Sequence, residues 1–378
     1  MGRAAEAPVS RDDADLLLRG ADSPRLFAAA AAVRDRAKGR VVSYSKKVFI
    51  PLTHLCRDYC GYCTFRADPA SGRAAYMSPD EVLAVAEAGR KAGCKEALFS
   101  LGDQPEQIFP EAREALARLG FARTLDYLAA MTALVLEKTG LLPHANPGLM
   151  SREDLARLKA SNVSLGLMLE STSNALRHKP GAHWRAPDKA PRLRLRVIDE
   201  AGRQQIAFTT GMLIGIGETD EDRIDTLFAM RALHERHGHI QEVLVQPFRA
   251  KADTRMARAG EPTMTELQRI IAITRLVLPR EVSVQSPPNL VSTDYPELLA
   301  AGINDWGGIS PVTRDFINPE AAWPQIARLS QRSADCGFTL RERLAIYPAF
   351  IDRPGFVHPR IAPALARQRG PDNYALGA

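Results

Sequence analysis

Short apolar runs alternate along this chain with longer segments in which apolar residues recur every three or four positions. The short runs are typical of buried strands, and the longer segments are typical of helices with one apolar face. Eight such runs occur, each followed by a helical segment. The predicted strands cover residues 48–52, 96–100, 141–145, 163–169, 206–214, 242–248, 282–286 and 303–306.

Signals for helix ends support this alternation. Ser78 is followed by a proline and, three positions on, by Glu81, which predicts a capping box at a helix start. Gly140 directly follows the pattern of residues 124–139 and predicts a C-terminal stop. Further helices are predicted at 151–161, 191–201, 220–237, 263–278, 294–301 and 320–336.

Eight consecutive strand and helix units predict a parallel (β/α)8 barrel of the TIM type, closed or partly open. The predicted barrel domain covers residues 46–336. Residues 1–45 are predicted to form a helical lead-in. Residues 337–378, rich in proline and arginine, are predicted to form an extension that packs across one barrel end. In such barrels the functional residues lie at the C-terminal ends of the strands.

Composition narrows the class of protein. The 378 residues are 45% hydrophobic and 25% charged, which is ordinary for a globular protein with a large core. The net charge is +6, but the basic residues are spread out, with no aromatic-rich basic stripe along the sequence. We therefore expect no nucleic-acid partner and interpret the charge as solvated helix faces plus an anionic substrate or cofactor.

Targeting signals and cysteine usage indicate the compartment. No stretch is apolar enough to span a membrane, and the N-terminus lacks an apolar signal core with a cleavage site. Five cysteines, two of them isolated, do not form a disulfide framework and suit a reducing cytosol. A cytoplasmic protein without a membrane partner is expected.

Three of the cysteines lie together in Cys56-Arg-Asp-Tyr-Cys60-Gly-Tyr-Cys63, directly after the first predicted strand. Three thiolates can hold three irons of a [4Fe–4S] cluster, which is normally held by four cysteines. An iron without a protein ligand is free to bind a small molecule. The alternatives are unpaired structural cysteines or a zinc site with His54 as fourth ligand, although this spacing fits zinc patterns poorly.

Polar residues and glycines also follow the other predicted strands, where a barrel places its site. Glu170 ends the fourth strand, and its alternative interpretation is a salt bridge with Arg194 or Arg196. The pair Gly215 and Gly217 is not a dinucleotide fingerprint, because the third glycine is missing. The strand-end candidates are Gly102, Asp103, Glu106, Asn146, Glu170, Gly215, Gly217, Gln246, Gln285 and Asp305.

The C-x3-C-x2-C spacing after a first strand resembles the radical S-adenosylmethionine (SAM) superfamily. The resemblance implies a [4Fe–4S] cluster on Cys56, Cys60 and Cys63, with SAM chelating the open iron and yielding a 5′-deoxyadenosyl radical. It also implies a cofactor-binding role for the residues that match the motifs around methionine, ribose and adenine. These are Tyr62, Gly102, Asp103, Glu106, Glu170, Gly215 and Gly217.

Longer stretches resemble the CofG-type deazaflavin synthases within that superfamily. They are residues 44–65, 102–106, 209–218, 284–290 and 303–311, and the resemblance runs from about Val42 to about Pro324. The block Asn304-Asp-Trp-Gly-Gly308 is its most family-specific part. Gln246-Pro-Phe-Arg249 departs from the expected Asn-Phe-Arg, which leaves the substrate role of that strand open.

This resemblance implies a lyase reaction on a substrate made by a partner enzyme. The partner, CofH, joins a tyrosine-derived hydroxybenzyl group to a ribitylaminouracil. A CofG-type enzyme then abstracts hydrogen from the adduct, and ring closure with loss of ammonia gives 7,8-didemethyl-8-hydroxy-5-deazariboflavin. An external electron donor is implied as a second partner.

Barrel position alone selects Asn146, Gln246, Gln285 and Asp305 as contacts to the uracil or ribityl groups, with Asp305 also predicted to be catalytic. Two alternatives remain open. One is another radical SAM enzyme, of the menaquinone-pathway or biotin-synthase type, although the chain lacks a second set of cluster cysteines. The other is a non-enzymatic iron–sulfur electron carrier, which would need a fourth cysteine near the motif.

Overall fold

The computed structural model describes residues 9–20, 22–291 and 294–377. Residues 1–8 of the predicted lead-in lie outside these ranges. The strands are β1 (Val41–Thr53), β2 (Glu96–Leu101), β3 (Leu142–Asn146), β4 (Ser164–Gly166), β5 (Phe208–Ile214), β6 (Ile240–Pro247), β7 (Ser283–Gln285), β8 (Asp305–Ile309) and β9 (Thr339–Glu342).

Helices alternate with the strands as predicted. They are α1 (Arg11–Gly20), α2 (Ser23–Lys38), α3 (Pro79–Lys91), α4 (Pro110–Arg118), α5 (Thr124–Thr139), α6 (Arg152–Lys159), α7 (Pro191–Arg203), α8 (Asp220–His237), α9 (Met264–Val277), α10 (Glu297–Ala300), α11 (Ile326–Asp335), α12 (Pro348–Ile351) and α13 (Ala362–Ala366). The capping box of Ser78 and Glu81 is present, and Gly140 ends α5 in the left-handed region. In the described ranges no helix has both the length and the apolar character needed to cross a membrane.

The first eight strands form a closed parallel barrel. Hydrogen bonds follow the order β2-β3-β4-β5-β6-β7-β8-β1, and β1 also pairs with β2, which closes the ring. Outward residues pack under the helices: a side chain at Gly89 of α3 would lie 2.7 Å from Val48 of β1. The predicted (β/α)8 barrel is therefore confirmed, in its closed form. We call the C-terminal ends of the strands the mouth and the opposite end the base.

Strand β1 is longer than predicted and has two neighbours on one side. Its upper part, from Lys47, pairs with β2, whereas Val41 to Tyr44 pair in parallel with β9. The predicted start at residue 48 is therefore wrong, and β1 crosses the predicted boundary at residue 45. The last long helix also begins later than predicted, at Ile326 rather than residue 320.

The C-terminal extension packs across the base of the barrel. After β9, its apolar residues Leu344, Ile346 and Phe350 share a cluster with Leu142 and Ala207, which lie where β3 and β5 begin. The segment therefore covers one end of the barrel, as its sequence suggested. At the other end of the chain, α1 and α2 pack against α8 and α9 on the outside.

Candidate active site

The three cysteines of the motif lie in the loop that leaves β1 at the mouth. All three are partly buried and free of disulfides. The backbone N–H groups of Asp58 and Asp103 donate to Cys56 Sγ, at 3.4 and 3.2 Å. Burial raises the pKa of the Cys56 thiol to about 12 and that of Cys60 well above its ordinary value. These thiols therefore hold their protons unless a metal replaces them.

The cysteine loop does not present a ready-made site for a single zinc ion. Tetrahedral zinc with thiolates at 2.3 Å needs sulfur atoms about 3.8 Å apart. Across the described ranges, no three Cys or His ligand atoms lie within 4.8 Å of one another. His54 uses Nδ1 on the Phe65 carbonyl at 2.8 Å and contacts its ring. Three cysteines in one loop match the number of irons of a [4Fe–4S] cluster that would need a protein ligand if the fourth iron is left open.

Gly102 leaves β2 in direct contact with the cysteine loop. A Cβ atom added at Gly102 would lie 1.9 Å from the Leu55 carbonyl oxygen and 2.6 Å from Cys56 Cβ. Only glycine permits this approach, so the two loops are locked together at this residue. Glu106, predicted with the same loop, instead accepts from the backbone N–H and hydroxyl of Thr124, at 3.2 and 2.6 Å, and so caps α5.

Three buried carboxylates meet behind the cysteine loop. Asp58, Asp103 and Asp188 place one oxygen each within 4.8 Å of the others. Arg57 forms an ion pair with Asp188 at 2.7 Å, whereas Asp103 Oδ1 has no hydrogen-bond partner among the described residues. Burial, with the nearby carboxylates, raises the pKa of Asp103 to about 8 and that of Asp188 to about 6. The site is therefore electrostatically suited to a cationic group.

Glu170 lies at the mouth beyond β4 with a backbone φ of 64°, a conformation that non-glycine residues seldom adopt. Its carboxylate accepts from the Tyr62 hydroxyl and from His183 Nε2 at 2.9 Å, and it pairs with Lys189. Burial alone would raise the pKa of Glu170, but Lys189 and His183 hold it well below its ordinary value. The group is therefore a carboxylate at neutral pH.

The predicted alternative for Glu170, a salt bridge with Arg194 or Arg196, is not the pairing found. Arg194 donates to the backbone carbonyls of Met168 and Asp188, at 2.6 and 3.2 Å. The Glu170 carboxylate is paired with Lys189 and His183 instead. Sequence reasoning missed both, because they lie in an irregular segment with no periodic pattern.

Gly215 and Gly217 form the turn that follows β5. Both have positive φ, 89° and 103°. The Glu218 carboxylate accepts from the backbone N–H groups of Gly215 and Ile216, each at 2.8 Å. The turn is therefore fixed by its own carboxylate, and it lies at the mouth beside the Glu170 segment, which bridges to Met212 of β5.

Asn146, Gln246 and Gln285 lie at the mouth ends of β3, β6 and β7. A side chain at Gly166 would meet Asn146 Oδ1 at 1.9 Å, and one at Gly307 would meet Gln285 Nε2 at 1.9 Å. Gly166 and Gly307 therefore leave room for the side-chain amides of Asn146 and Gln285 against the neighbouring strands. The structure places these predicted contacts at the same end of the barrel as the cysteine loop.

Asp305 is placed differently from its prediction. It is the first residue of β8, not a residue that follows the strand, so the positional argument for it was wrong. Its carboxylate accepts from Arg343 and the Ser43 hydroxyl, and from the backbone N–H of Gly307 at 2.6 Å. Asp305 is fully buried and belongs to a layer of charged side chains inside the barrel. A role in catalysis stays a prediction.

The charged layer includes residues that the sequence did not single out. Lys47 pairs with Glu96 at 2.7 Å, and Glu242 accepts from Tyr347 and from Arg343 at 3.2 Å. His144 contacts the Ser164 hydroxyl and Asn146, and burial lowers its pKa to about 4. For Lys47 the signal was the alternation of Ser43, Ser45 and Lys47 with apolar residues along β1, which an apolar-run search discards.

An aromatic pair lies beside the mouth. Trp323, in the segment after β8, stacks on Phe49 of β1 with ring centroids 5.3 Å apart and planes 17° apart. Thr313 of the same segment accepts from the backbone N–H of Phe49 at 3.0 Å. The segment after β8 is thereby fastened to β1.

Comparison with protein families gives one matching description. The family model of the radical SAM superfamily matches residues 50–230. Among solved structures, the chain is similar to the FeFe-hydrogenase maturase HydG from Carboxydothermus hydrogenoformans, with a TM-score of 0.73, 18% identity, and 95% and 81% of the two chains covered. Methylornithine synthase (PylB) gives a TM-score of 0.69 at 19% identity, covering 89% and 95%. These structures support the fold.

Curated relatives are much closer in sequence. The chain is 47% identical over 335 residues to the 7,8-didemethyl-8-hydroxy-5-deazariboflavin synthase of Methanopyrus kandleri, covering 89% of this chain and 100% of that protein. It is 49% identical over 359 residues to the FO synthase of Streptomyces avermitilis, covering 92% of this chain. The chain spans only 42% of the length of that second relative.

Proposed function

Because this chain belongs to the 7,8-didemethyl-8-hydroxy-5-deazariboflavin synthases of the radical SAM superfamily, we propose that it catalyses the ring-closing step of deazaflavin synthesis. The substrate is the hydroxybenzyl–ribityldihydrouracil adduct formed by a separate partner enzyme of the CofH type. Hydrogen abstraction, cyclisation and loss of ammonia make the reaction a carbon–nitrogen lyase step. The observation that carries this proposal is the 47% identity over the whole length of the Methanopyrus kandleri synthase.

Cys56, Cys60 and Cys63 are the proposed ligands of a [4Fe–4S] cluster. When bound, the cluster would supply the electron, and SAM would supply the radical that abstracts hydrogen. The chain's own contribution is to keep three thiolates in one loop, with the Asp58 and Asp103 N–H groups directed at Cys56. A cytoplasmic location is proposed because such thiols must stay reduced, and an external electron donor is required.

The residues around the cysteine loop are proposed to orient SAM. Gly102 brings the β2 loop against the cysteine loop, and Asp103 offers the unpartnered Oδ1 for a cationic group such as the amino group of methionine. Tyr62 and Glu170 are held to each other on the inner side of the loop. Gly215 and Gly217 supply a turn in which two positions lack side chains, so the flat adenine ring of SAM can lie close to the backbone. Glu106 contributes by holding its loop in position.

The adduct is proposed to occupy the barrel mouth. The amides of Asn146, Gln246 and Gln285 offer both donors and acceptors, which match the alternating groups of a uracil ring. Asp305 is the register partner of Gln285, and His144 of the charged layer contacts Asn146, so further polar side chains adjoin these amides. The stacked Phe49 and Trp323 help exclude water from the radical chemistry.

Anaerobic turnover tests the proposal. The reconstituted chain is incubated with dithionite, SAM and the adduct, while 5′-deoxyadenosine and deazaflavin fluorescence are followed. The adduct should raise 5′-deoxyadenosine above the uncoupled background and give the deazaflavin, whereas tyrosine with the aminouracil should not. Product from tyrosine and the aminouracil alone would contradict the assignment. A chain that holds a cluster but never cleaves SAM would be an electron carrier.

A further inference from the structure

Tyr59, next to Cys60, is a partly buried residue of the cysteine loop. Arg66 and Arg185 lie on its ring, with guanidinium carbons 3.4 and 4.6 Å from the ring centroid. Tyr62 in the same loop contacts Glu170 and His183 instead. Tyr62 therefore belongs to the proposed SAM site, whereas the ring of Tyr59 contacts two cations.

Trp184 extends this surface. Lys179, Arg255 and Arg185 approach its ring to 5.4, 5.2 and 6.0 Å. Lys179, Arg185 and Arg255 are exposed. We call Tyr59, Arg66, Lys179, Trp184, Arg185 and Arg255 the cationic patch. Its members come from three distant segments, so the sequence shows no aromatic-rich basic stripe although the fold assembles one.

Backbone hydrogen bonds fasten the patch to the cysteine loop. Tyr59 N–H donates to the Arg185 carbonyl at 2.9 Å, and Gly61 N–H donates to the Ala182 carbonyl at 2.7 Å. Arg255 donates to the carbonyls of Tyr59 and Trp184, both at 2.9 Å. A protein seated on these side chains therefore contacts the segment that carries Cys60.

The charge of the patch is largely unneutralised. Asp68 pairs with Arg66. Among the ion pairs of the described residues, none joins a carboxylate to Lys179, Arg185 or Arg255. Three exposed cations interleaved with two aromatic rings suit a partner that is acidic, because aromatic residues and arginine are enriched at interfaces and charge steers encounter.

We propose that the cationic patch docks an acidic one-electron carrier protein of the flavodoxin or ferredoxin class. The inference rests on the proposed function, since the carrier is oxidised by one electron and the bound cluster is reduced by one. The patch lies on the loops that follow β1, β4 and β6, so a carrier seated there contacts the segment with the proposed cluster ligands. Such carriers bind weakly and transiently through small interfaces, and their association rates depend on charge.

A double charge reversal, Lys179→Glu with Arg185→Glu, tests the proposal. The matched control is Arg36→Glu with Lys138→Glu, the same charge change on exposed residues at the base end of α2 and α5. A purified flavodoxin of net negative charge, reduced to its hydroquinone, is the sole reductant in one arm, and dithionite in the other. Binding of the oxidised flavodoxin to cluster-free protein is measured by calorimetry.

The patch variant should lose roughly tenfold or more of the flavodoxin-driven 5′-deoxyadenosine rate and of flavodoxin affinity, and should keep the dithionite-driven rate. The control variant should keep all three. Wild-type flavodoxin affinity should fall as salt rises, because exposed charges are screened. Unchanged flavodoxin rate and affinity in the patch variant would overturn the proposal.

Other outcomes are also decisive. If the reversal lowers the dithionite rate through misfolding, Lys179→Gln with Arg185→Gln replaces it, and unchanged affinity there counts against the patch. If dithionite gives no SAM cleavage in the wild type, the proposed function fails, while the calorimetry still decides the docking surface. Binding of an RNA oligonucleotide at the patch in place of flavodoxin would overturn the electron-carrier assignment.

Discussion

Arg343 donates two hydrogen bonds to the carboxylate of Asp305, at 2.7 Å from Nε and 3.0 Å from Nη2. Both side chains are almost completely buried, and Arg343 reaches Glu242 of β6 as well. The pair joins the C-terminal extension to the interior of the barrel. Removing one partner of a buried ion pair leaves an uncompensated charge, which costs more than the pair contributes.

Arg343→Met should therefore lower the free energy of unfolding by about 3–5 kcal/mol, because Asp305 and Glu242 lose their cation. Arg341→Met, two residues earlier, is the control: Arg341 is partly exposed and pairs with Asp372, so its loss should cost less than about 1 kcal/mol. Thermal melts of both variants measure the difference. Equal melting temperatures would contradict the anchoring role.

Asp305→Asn distinguishes the catalytic prediction from an anchoring role. If Asp305 is catalytic, the variant should lose deazaflavin formation with little change in SAM binding. If Asp305 is an anchor, the variant should lose thermal stability to the same extent as Arg343→Met. Its product formation should then recover when activity is measured at lower temperature. The comparison of melting temperature with product yield at two temperatures decides between them.

Gly102→Ala should lower bound iron as well as SAM affinity. The added Cβ would lie 1.9 Å from the Leu55 carbonyl oxygen and displace the cysteine loop. The contact with Cys56 therefore extends the role of Gly102 from SAM binding to the position of the cluster ligands. Gly260→Ala is the control, since nothing lies within 4 Å of its added Cβ. Normal iron content in Gly102→Ala would argue against the contact.

Cys94→Ser and Cys336→Ser should each leave about four iron atoms per chain after reconstitution. Cys94 is buried beside the end of α3, and Cys336 ends α11, so neither lies in the cysteine loop. Cys60→Ser should abolish the cluster. Iron and sulfide analysis, with the visible absorption of the cluster, measures all three. Loss of half the iron in either of the first two variants would reveal a second cluster.

His239→Gln should make stability less dependent on pH. Burial lowers the pKa of His239 to about 3, so the unfolded chain takes up a proton below pH 6.5 that the folded chain refuses. Stability from this group is therefore complete above pH 6.5 and falls toward pH 3, by about 2 kcal/mol at pH 5. Melts of cluster-free protein at pH 7.5 and 5.0 should differ less in the variant, whereas the exposed His178→Gln should behave as wild type.

The sequence predicted most of the barrel because local signals agree with the fold. Ser78 and Glu81 form the capping box that their spacing indicated, and the apolar runs of β2 and β5 are buried strands. The start of β1 was missed because Ser43, Ser45 and Lys47 interrupt the apolar pattern. Their polar groups pair with Asp305 and Glu96 inside the barrel, and such partners are distant in sequence.

The site was predictable only where spacing carries chemistry. Cys56, Cys60 and Cys63 share one loop, so their association needed no tertiary knowledge. Lys189 and His183 reach Glu170 through an irregular segment, and no sequence period marks such contacts. Asp305 was misplaced because a two-residue error in a strand boundary moves a residue from one end of a short strand to the other.

The pairing of β9 with β1 has a consequence for how the chain folds during synthesis. Residues 41–44 leave the ribosome early, yet their partners at 339–342 and the cation of Arg343 emerge nearly three hundred residues later. Lys47 can already pair with Glu96, but Asp305 and Glu242 keep uncompensated charges until Arg343 has been synthesised. Nascent chains that stall before residue 339 would lack this cation and the segment that covers the base, which makes them targets for chaperones and proteases.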